Sequence, residues 1–481
     1  ILVKTREGRP IKIEGNALSS ITKGGTSARV QASVLSLYDI NRLQFPASFD
    51  GNTLKELTWQ DLDKEVMGKL NATSKIRILS GTVMSPSAKR AVQDFCAKFP
   101  GAKHISYDPV SSAALLQATE DCFGERVVPE YRFDLAETIV SFNADFLGTW
   151  ISPIEYAAQY VSRRSINPEN PSMSKHFQVE SQMSLSGSNA DNRILVRPSE
   201  MGAAIAFLYN EIASKTGGTT SAGPALNEKA KKALTVAAEA LLANKGKSLI
   251  VSASNNVAEQ TLIHAINQLL GNIGSTVNFS NASFQRQGND LMLTELINEM
   301  NAGTVDALFV WNSNPCYDIP LADRFKSGMA KVGLKVSFNT LLDETTSLCN
   351  FIAPDHHFLE SWGDVEAKKG HYSLIQPAIN PIFNSRQAPH SLLMWSASTL
   401  LSPSSEQPYY EFVKSTWQTQ IFPKSGASSF QSFWDKCLHD GVFELNTSNS
   451  GVPNFAGNTA GAIGMVSLPS SNPLEISFIE N

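Results

Sequence analysis

The sequence predicts an α/β protein built from two doubly wound, Rossmann-like halves, with a small mixed β-containing part at its N-terminus. Three observations carry this. Two segments repeat the order strand, turn, helix, strand. Each half closes on a hydrophobic strand that runs into an asparagine-containing turn, "SFNADF" and "VWNSNP". At 481 residues the chain also exceeds the size at which one core stops growing, so more than one domain is expected.

The opening segment, residues 1–60, reads as β-rich with one helix. Its stretch "ITKGGTSARVQASVLSLYDINRL" passes from a turn of small residues into a helical pattern at Val30, Val34, Leu35, Leu37 and Tyr38, then into a charged loop over residues 39–42. A turn opening a helix offers backbone N–H groups to an anion or a cluster, yet neither cysteine nor histidine stands there to hold one.

The first α/β half, residues 61–215, begins with "SKIRILSGTVMSPSAKRAVQDFCAKFPGAKHISYD". Residues 76–79 form an apolar strand, and Ser85-Pro86 caps and starts a helix. Val92, Phe95 and Cys96 give that helix its inward face, and Pro100-Gly101 ends it. A buried strand, "ETIVSF", follows. Residues 163–192 are rich in Ser, Asn and Pro and read as a long functional loop.

Residues 216–223, "TGGTTSAG", read as a flexible linker, and residues 229–242 as an Ala-rich helix. The second half, residues 224–400, repeats the order in "KSLIVSASNNVAEQTLIHAINQLLGNIGSTVNF" and adds the helix "NDLMLTELINEMNAG" and the strand "DALFVWNSNPCYD". Residues 401–481, with "SPSSEQP", "SGASS" and "NTSNSG", read as an irregular region. The last residues, "NPLEISFIEN", read as a strand. With Ile1 in place of Met at the start, this predicts a segment of something longer, truncated before further domains.

Composition excludes several function classes. Lys plus Arg total 40 against 45 for Asp plus Glu, a formal charge of -5, so the basic field that nucleic acid requires is missing. No run reaches the ~18 apolar residues of a membrane span, so membrane association is expected through partner subunits. The five cysteines, Cys96, Cys122, Cys316, Cys349 and Cys437, are scattered and read as small buried hydrophobes, not as cluster or zinc ligands. "SLSGS" is not a nucleophile elbow, and no Gly-x-Gly-x-x-Gly follows either first strand.

Several segments, taken together, resemble one family. "VKTREGRPIKIEGNALSSITKGGTSARVQASVLSLYDINRLQFP" is similar to the opening of the molybdopterin-dependent oxidoreductases of the dimethyl sulfoxide reductase type. "HFQVESQMSLSGSNADNRILVRP", "VWNSNPCYDIP", "LLDETTSLCNFIAPDHHFLESWGD" and "QPAINPIFNSR" resemble that family in the same order. Ser27 stands where members with an N-terminal cluster carry their last cysteine, and Val30 replaces the following glycine. The turn around Ser27 and Arg29 is then a relic that holds fold and not iron. For the molybdenum ligand the matching neighbourhood, "KHISYDPVSSAALL", has no cysteine, which leaves Asp108, Ser111 or Ser112, with helix capping the plainer role for the serines.

Within that family the combination looks most like the cofactor-free molybdopterin-like half of the iron–sulfur protein of bacterial alternative complex III. The resemblance implies no cofactor in this segment and iron–sulfur clusters in an adjoining ferredoxin-like domain. It also implies partner subunits that include a multihaem cytochrome c and a quinol-binding membrane subunit, on the periplasmic side of the inner membrane. The competing expectation is an active molybdenum bis-pterin oxidoreductase with Asp108 or a nearby serine as ligand.

Other positions carry paired readings. His356, His357 and Glu360 in "DHHFLESWGD" invite a metal, but the spacing is not His-Glu-x-x-His, and a structural or vestigial role for His357 is favoured. Asn312 and Asn314 sit at the carboxyl end of a strand, where doubly wound folds receive nucleotides, and Asn143 and Asp145 hold the equivalent place in the first half. Phe142, Phe146 and Trp150 are expected to fill space that a pterin would take. The vestigial set is thus Ser27, Arg29, Asp108, Asn143, Asn312, Asn314 and His357, with no catalytic and no metal-binding residue expected.

Overall fold

The computed structural model describes residues 1–165, 168, 169, 171–402, 404–445, 451–472 and 474–478. It forms two compact units, each assembled from two stretches of chain. One unit comprises Ile1–Pro109 with Gln287–Leu445, the other Val110–Arg286 with Asn446–Asn481.

In the first unit the strands Lys103–Ser106, Ile76–Ser80, Ala307–Trp311, Leu334–Ser337 and Phe351–Ile352 run parallel in that spatial order. Ala47–Phe49 and Leu54–Glu56 extend the sheet antiparallel. Both faces are covered. Ile76, Ile78, Ala307 and Phe309 pack into one core with Phe95, Phe338 and Trp395, while Leu79, Leu308 and Val310 point into another with Leu296, Ile297 and Phe325. Burial on both faces is what makes Ala307–Trp311 an uninterrupted apolar run.

The second unit repeats the plan. Asn192–Leu195, Lys175–Glu180, Thr138–Phe142 and Ser248–Ser252 form a parallel sheet in that order. Val140, Phe142 and Ile250 face a core shared with the helices Met201–Thr216, Glu228–Ala243 and Val257–Leu269. Ile139, Leu249 and Val251 face the opposite core, with Tyr131, Phe133 and Phe146.

Local signals explain the element ends. Ser85 Oγ accepts from Ala88 N at the start of the helix Pro86–Lys98, with proline at its first turn. Ser27 Oγ accepts from Val30 N and caps the short helix Ala28–Ala32, so the turn read as a cluster relic serves as a helix cap. The exposed Arg29 lies in that helix's last turn. Gly15 lets the backbone of Gly24 approach so closely that a side chain at 15 would overlap its carbonyl.

Two readings of irregularity are corrected. Residues 163–192, read as a loop, contain the strand Lys175–Glu180, whose residues from His176 onward are buried. His176 and Gln178 are hydrogen-bonded to one another at 3.1 Å, and polar residues at alternate buried positions hide a strand from a hydrophobicity reading. Residues 166, 167 and 170 of that stretch lie outside the described residues.

Residues 401–445, read as irregular, form the helices Pro408–Thr416 and Phe430–Asp440 and the strand Val442–Glu444. They bury Trp417 and Trp434 against Tyr372 and Leu393. Most of "NTSNSG" lies outside the described residues, and no strand occurs at 474–478. Cys122, Cys316, Cys349 and Cys437 are buried thiols and Cys96 is half-buried. Among the described residues no helix is long and apolar enough to cross a membrane.

Phe309 lies at the middle of the central strand of the first unit, fully buried, with Phe95, Phe338 and Trp395 around its ring at centroid distances of 5.3 to 6.2 Å. Phe309→Ala is expected to lower the unfolding free energy by about 3–5 kcal/mol, read from urea denaturation, because the packed rings cannot collapse into the space left.

Candidate functional site

A parallel sheet whose strand order reverses leaves a crevice at its carboxyl edge, because the two chains leaving the reversal cross to opposite faces. In the first unit the reversal falls between Ile76–Ser80 and Ala307–Trp311. A crevice of about 770 Å³ opens there, lined by the loop after Ser80, by Trp311 to Asn314, by Phe338 to Leu341 and by Asp355 to Phe358. In the second unit the reversal falls between Thr138–Phe142 and Ser248–Ser252, and a crevice of about 420 Å³ opens, lined by Asn143, Asp145, Trp150, Ser252, Gln260 and Arg286 among others.

Asn312 and Asn143 occupy matching places. Each follows the last residue of its strand, each has positive φ, 47° and 53°, and each lines its crevice. Asparagine tolerates that backbone region, so the residue type follows from the turn without need of a ligand. Asn314 is committed to the fold. Its Nδ2 donates to Glu344 at 2.7 Å and its Oδ1 accepts from the Thr345 hydroxyl at 2.7 Å.

Four carboxylates line the first crevice, Asp318, Asp343, Asp355 and Asp364, and among the described residues lining it there is no lysine or arginine. All four accept from backbone N–H groups. Asp364 accepts from Ser87 N at 3.2 Å at the start of the Pro86–Lys98 helix. It also accepts from the hydroxyls of Ser85 and Ser87 and from Trp417 Nε1 at 2.9 Å. Asp355 accepts from His356 N and from Ala388 N, the first residue of the helix Ala388–Trp395, and from Trp311 Nε1. Asp343 accepts from Thr345 N and Thr346 N. Asp318 accepts from the Tyr107 hydroxyl at 2.9 Å and from Asn314 N.

Burial pushes the carboxyls of Asp318 and Asp364 up, and that of Asp355 to about 7. Burial pulls His356 and His357 down to about 4, so both imidazoles are neutral at pH 7 and add no positive charge.

His356, His357 and Glu360 do not converge. His356 Nδ1 meets the Ser385 hydroxyl at 2.7 Å. His357 Nδ1 accepts from Leu359 N while its Nε2 meets Ser36, whose hydroxyl donates to Ser33 O. The neutral ring therefore carries its proton on Nε2. Glu360 instead faces Arg42 at 2.7 Å in an ion pair buried on both sides. Arg42, read as part of a charged loop, is 5 % exposed and also donates to Leu37 O. Among the described residues no group of three or more His, Cys, Asp or Glu is placed to hold a metal ion.

Asp108 accepts from the Thr82 hydroxyl at 2.7 Å and from Gly288 N at 2.9 Å, and it does not line the crevice, so it serves as a loop clamp. Ser111 and Ser112 line the second crevice, and Ser111 Oγ accepts from Ala113 N at the start of a helix. Asp145 accepts from both N and Oγ of Ser186 at 2.8 Å. Phe142 and Phe146 are not space-fillers of the crevice. Both are wholly buried core residues, Phe146 stacked on Phe133 at 4.4 Å, and of the three aromatics Trp150 alone lines the cavity. The residues that sequence reasoning missed are Arg42, Asp355 and Asp364; a lone acid within an apolar stretch, as in "NFIAPD" and "SWGDV", was the available signal.

Two doubly wound sheets, each open at its switch point, define the molybdopterin-oxidoreductase fold, and the chain has that fold. Over 94% of its length it matches 75% of acetylene hydratase from Pelobacter acetylenicus, with a TM-score of 0.63 and 10% sequence identity. In sequence it is similar to the molybdopterin-binding-like subunit of menaquinone reductase from Nitratidesulfovibrio vulgaris, with 24% identity over 437 residues covering 82% of this chain. The chain spans 62% of that relative's length. No protein-family profile matches it.

A pterin nucleotide carries phosphates, which need backbone N–H groups at helix N-termini or nearby cations. In the first crevice the chain's own carboxyl groups accept from such N–H groups, and among the described residues no lysine or arginine lines the walls, so the residues present do not fit a pyrophosphate. The second crevice has Arg286 and the buried Gln260, whose Oε1 has no hydrogen-bond partner. The adjacent helix Val257–Leu269 is capped by Asn256, which accepts from Ala258 N and Glu259 N.

Removing one partner of a buried ion pair strands the other charge. Arg42→Ala is expected to cost about 3–5 kcal/mol in urea denaturation, and the double replacement Arg42→Met with Glu360→Leu should recover most of it.

Asp355 gives a pH signature. In the fold it keeps its proton up to about 7, whereas its ordinary value is 3.8. The folded state therefore binds more protons between those values, and Asp355 contributes stability at low pH that is lost as pH rises through about 7. The unfolding free energy of wild type minus that of Asp355→Asn should fall across this window and level off above it, measured by urea titrations at a series of pH values.

Proposed function

We propose that this chain is a structural, cofactor-lacking, molybdopterin-like part of a respiratory electron-transfer complex. In this reading it docks a neighbouring iron–sulfur domain and haem-bearing and membrane subunits. The carrying observation is the chemistry of the first crevice, where internal carboxyl groups sit on the N–H groups a phosphate would use and, among the described residues, no lysine or arginine lines the wall. The similar subunit of menaquinone reductase supports a quinone-linked assembly.

The finer form of the proposal is the molybdopterin-like half of the iron–sulfur protein of an alternative complex III, a quinol:cytochrome c or high-potential iron–sulfur protein oxidoreductase. Its partners would be a multihaem cytochrome c, a quinol-binding membrane subunit and a fused iron–sulfur domain. It would sit on the periplasmic side of the inner membrane. A body of this kind positions and shields redox centres held by its neighbours, since electron transfer requires a metal, cluster or flavin to carry the charge.

Elemental and pterin analysis of the purified native assembly, normalised per copy of this chain, tests the proposal. The expected result is iron without molybdenum, tungsten or pterin. One molybdenum or tungsten with two pterins per chain overturns it and makes the chain a catalytic subunit.

A further inference from the structure

The mismatch between the first crevice and a phosphate-bearing ligand centres on one side chain. The turn after Ile76–Ser80 leads into the helix Pro86–Lys98, which flanks the switch point, and the N-terminus of such a helix is where a doubly wound fold places an anion. Here that end is already supplied with one. Asp364, 1 % exposed, reaches it from the strand Gly363–Lys368 and is met by Ser87 N, Ser87 Oγ at 2.6 Å, Ser85 Oγ and Trp417 Nε1. Four donors around one carboxylate resemble the surroundings of a bound oxyanion more than those of an ordinary helix cap, where one side-chain oxygen meets one or two N–H groups.

The arrangement recurs in the same crevice. Asp355 occupies the N–H of Ala388 at the start of a second helix, and Asp343 those of Thr345 and Thr346 at a third, shorter one. An entering phosphate would have to displace these carboxyl groups from their donors, and among the described residues no lysine or arginine lines the wall to meet its charge.

We propose that Asp364 is a built-in substitute for a phosphate group, a specificity-determining residue that closes the switch-point crevice of this unit to nucleotides and other phosphate-bearing ligands. The inference deepens the cofactor-lacking reading and rests on it. Asp364 neutralises the helix terminus and satisfies Ser85, Ser87 and Trp417 from within the chain, so the unit does not depend on a ligand to hold that loop.

The test is chemical rescue of Asp364→Ala. The melting temperatures of wild type and variant are measured in chloride, formate and inorganic phosphate at matched ionic strength. The variant should melt lower than wild type in chloride and recover by a few degrees in phosphate, at concentrations ~100-fold above the dissociation constant. Wild type should melt alike in all three salts.

Equal phosphate stabilisation of wild type overturns the proposal, because the position is then open. Rescue by formate but not phosphate, or by neither, also overturns it. Should Asp364→Ala not fold, Asp364→Asn decides, since it keeps the shape and removes the charge. Wild-type stability of Asp364→Asn at neutral pH overturns the proposal, and a clear loss supports it. The pterin content of the native assembly is a separate readout. A single pterin per chain, together with phosphate rescue of the variant, would sink the cofactor-lacking reading and leave the assignment of Asp364 standing, whereas two pterins per chain would overturn both.

Discussion

The constraint on which the rest depends is the reversal of strand order in each parallel sheet. Once Ile76–Ser80 feeds its chain to one side and Ala307–Trp311 to the other, the loops leaving them cannot close over the edge between them. The same holds between Thr138–Phe142 and Ser248–Ser252. Packing cannot remove these crevices, because the apolar side chains are already spent on the two faces of each sheet. The side chains that line these crevices decide what they can hold.

In the first unit those side chains include carboxyl groups. Asp343, Asp355 and Asp364 take up backbone N–H groups that a phosphate could otherwise use, and the neutral histidines beside them leave the wall without positive charge. A buried carboxylate is costly unless several donors meet it, and here each is met by at least three. The second unit keeps Arg286 and an unpaired amide oxygen on Gln260 in its smaller crevice, so the two halves share a plan but not a chemistry.

Much of the fold was legible in the sequence because strands buried on both faces announce themselves. "KIRILS", "ETIVSF", "KSLIVS" and "DALFVW" are each a strand of a parallel sheet. The strand Lys175–Glu180 was not legible, since His176, Gln178 and Glu180 are buried by hydrogen bonding and ion pairing, which leave no hydrophobic period. The packed helices after residue 401 were obscured by the Ser- and Pro-rich loops between them. For the site, the asparagines at strand ends, Asn312 and Asn143, line the crevices. The carboxyl groups that line the first crevice meet donors from distant segments, as Asp364 meets Ser87, and no local pattern joins such partners.

The division of each unit between two stretches of chain bears on how the protein is made. As the chain leaves the ribosome, Ile76–Ser80 can pair with Lys103–Ser106 at once, but its other edge stays bare until Ala307–Trp311 has been synthesised. During that interval the continuous stretch Val110–Arg286 emerges, and its sheet is complete before the first unit's sheet can be. Ala462, Ile463 and Val466, which close the core around the helix Val257–Leu269, arrive last. An unpaired central strand edge is a template for pairing with other chains. The order of synthesis thus leaves that edge bare in every nascent molecule until residue 311 has been made.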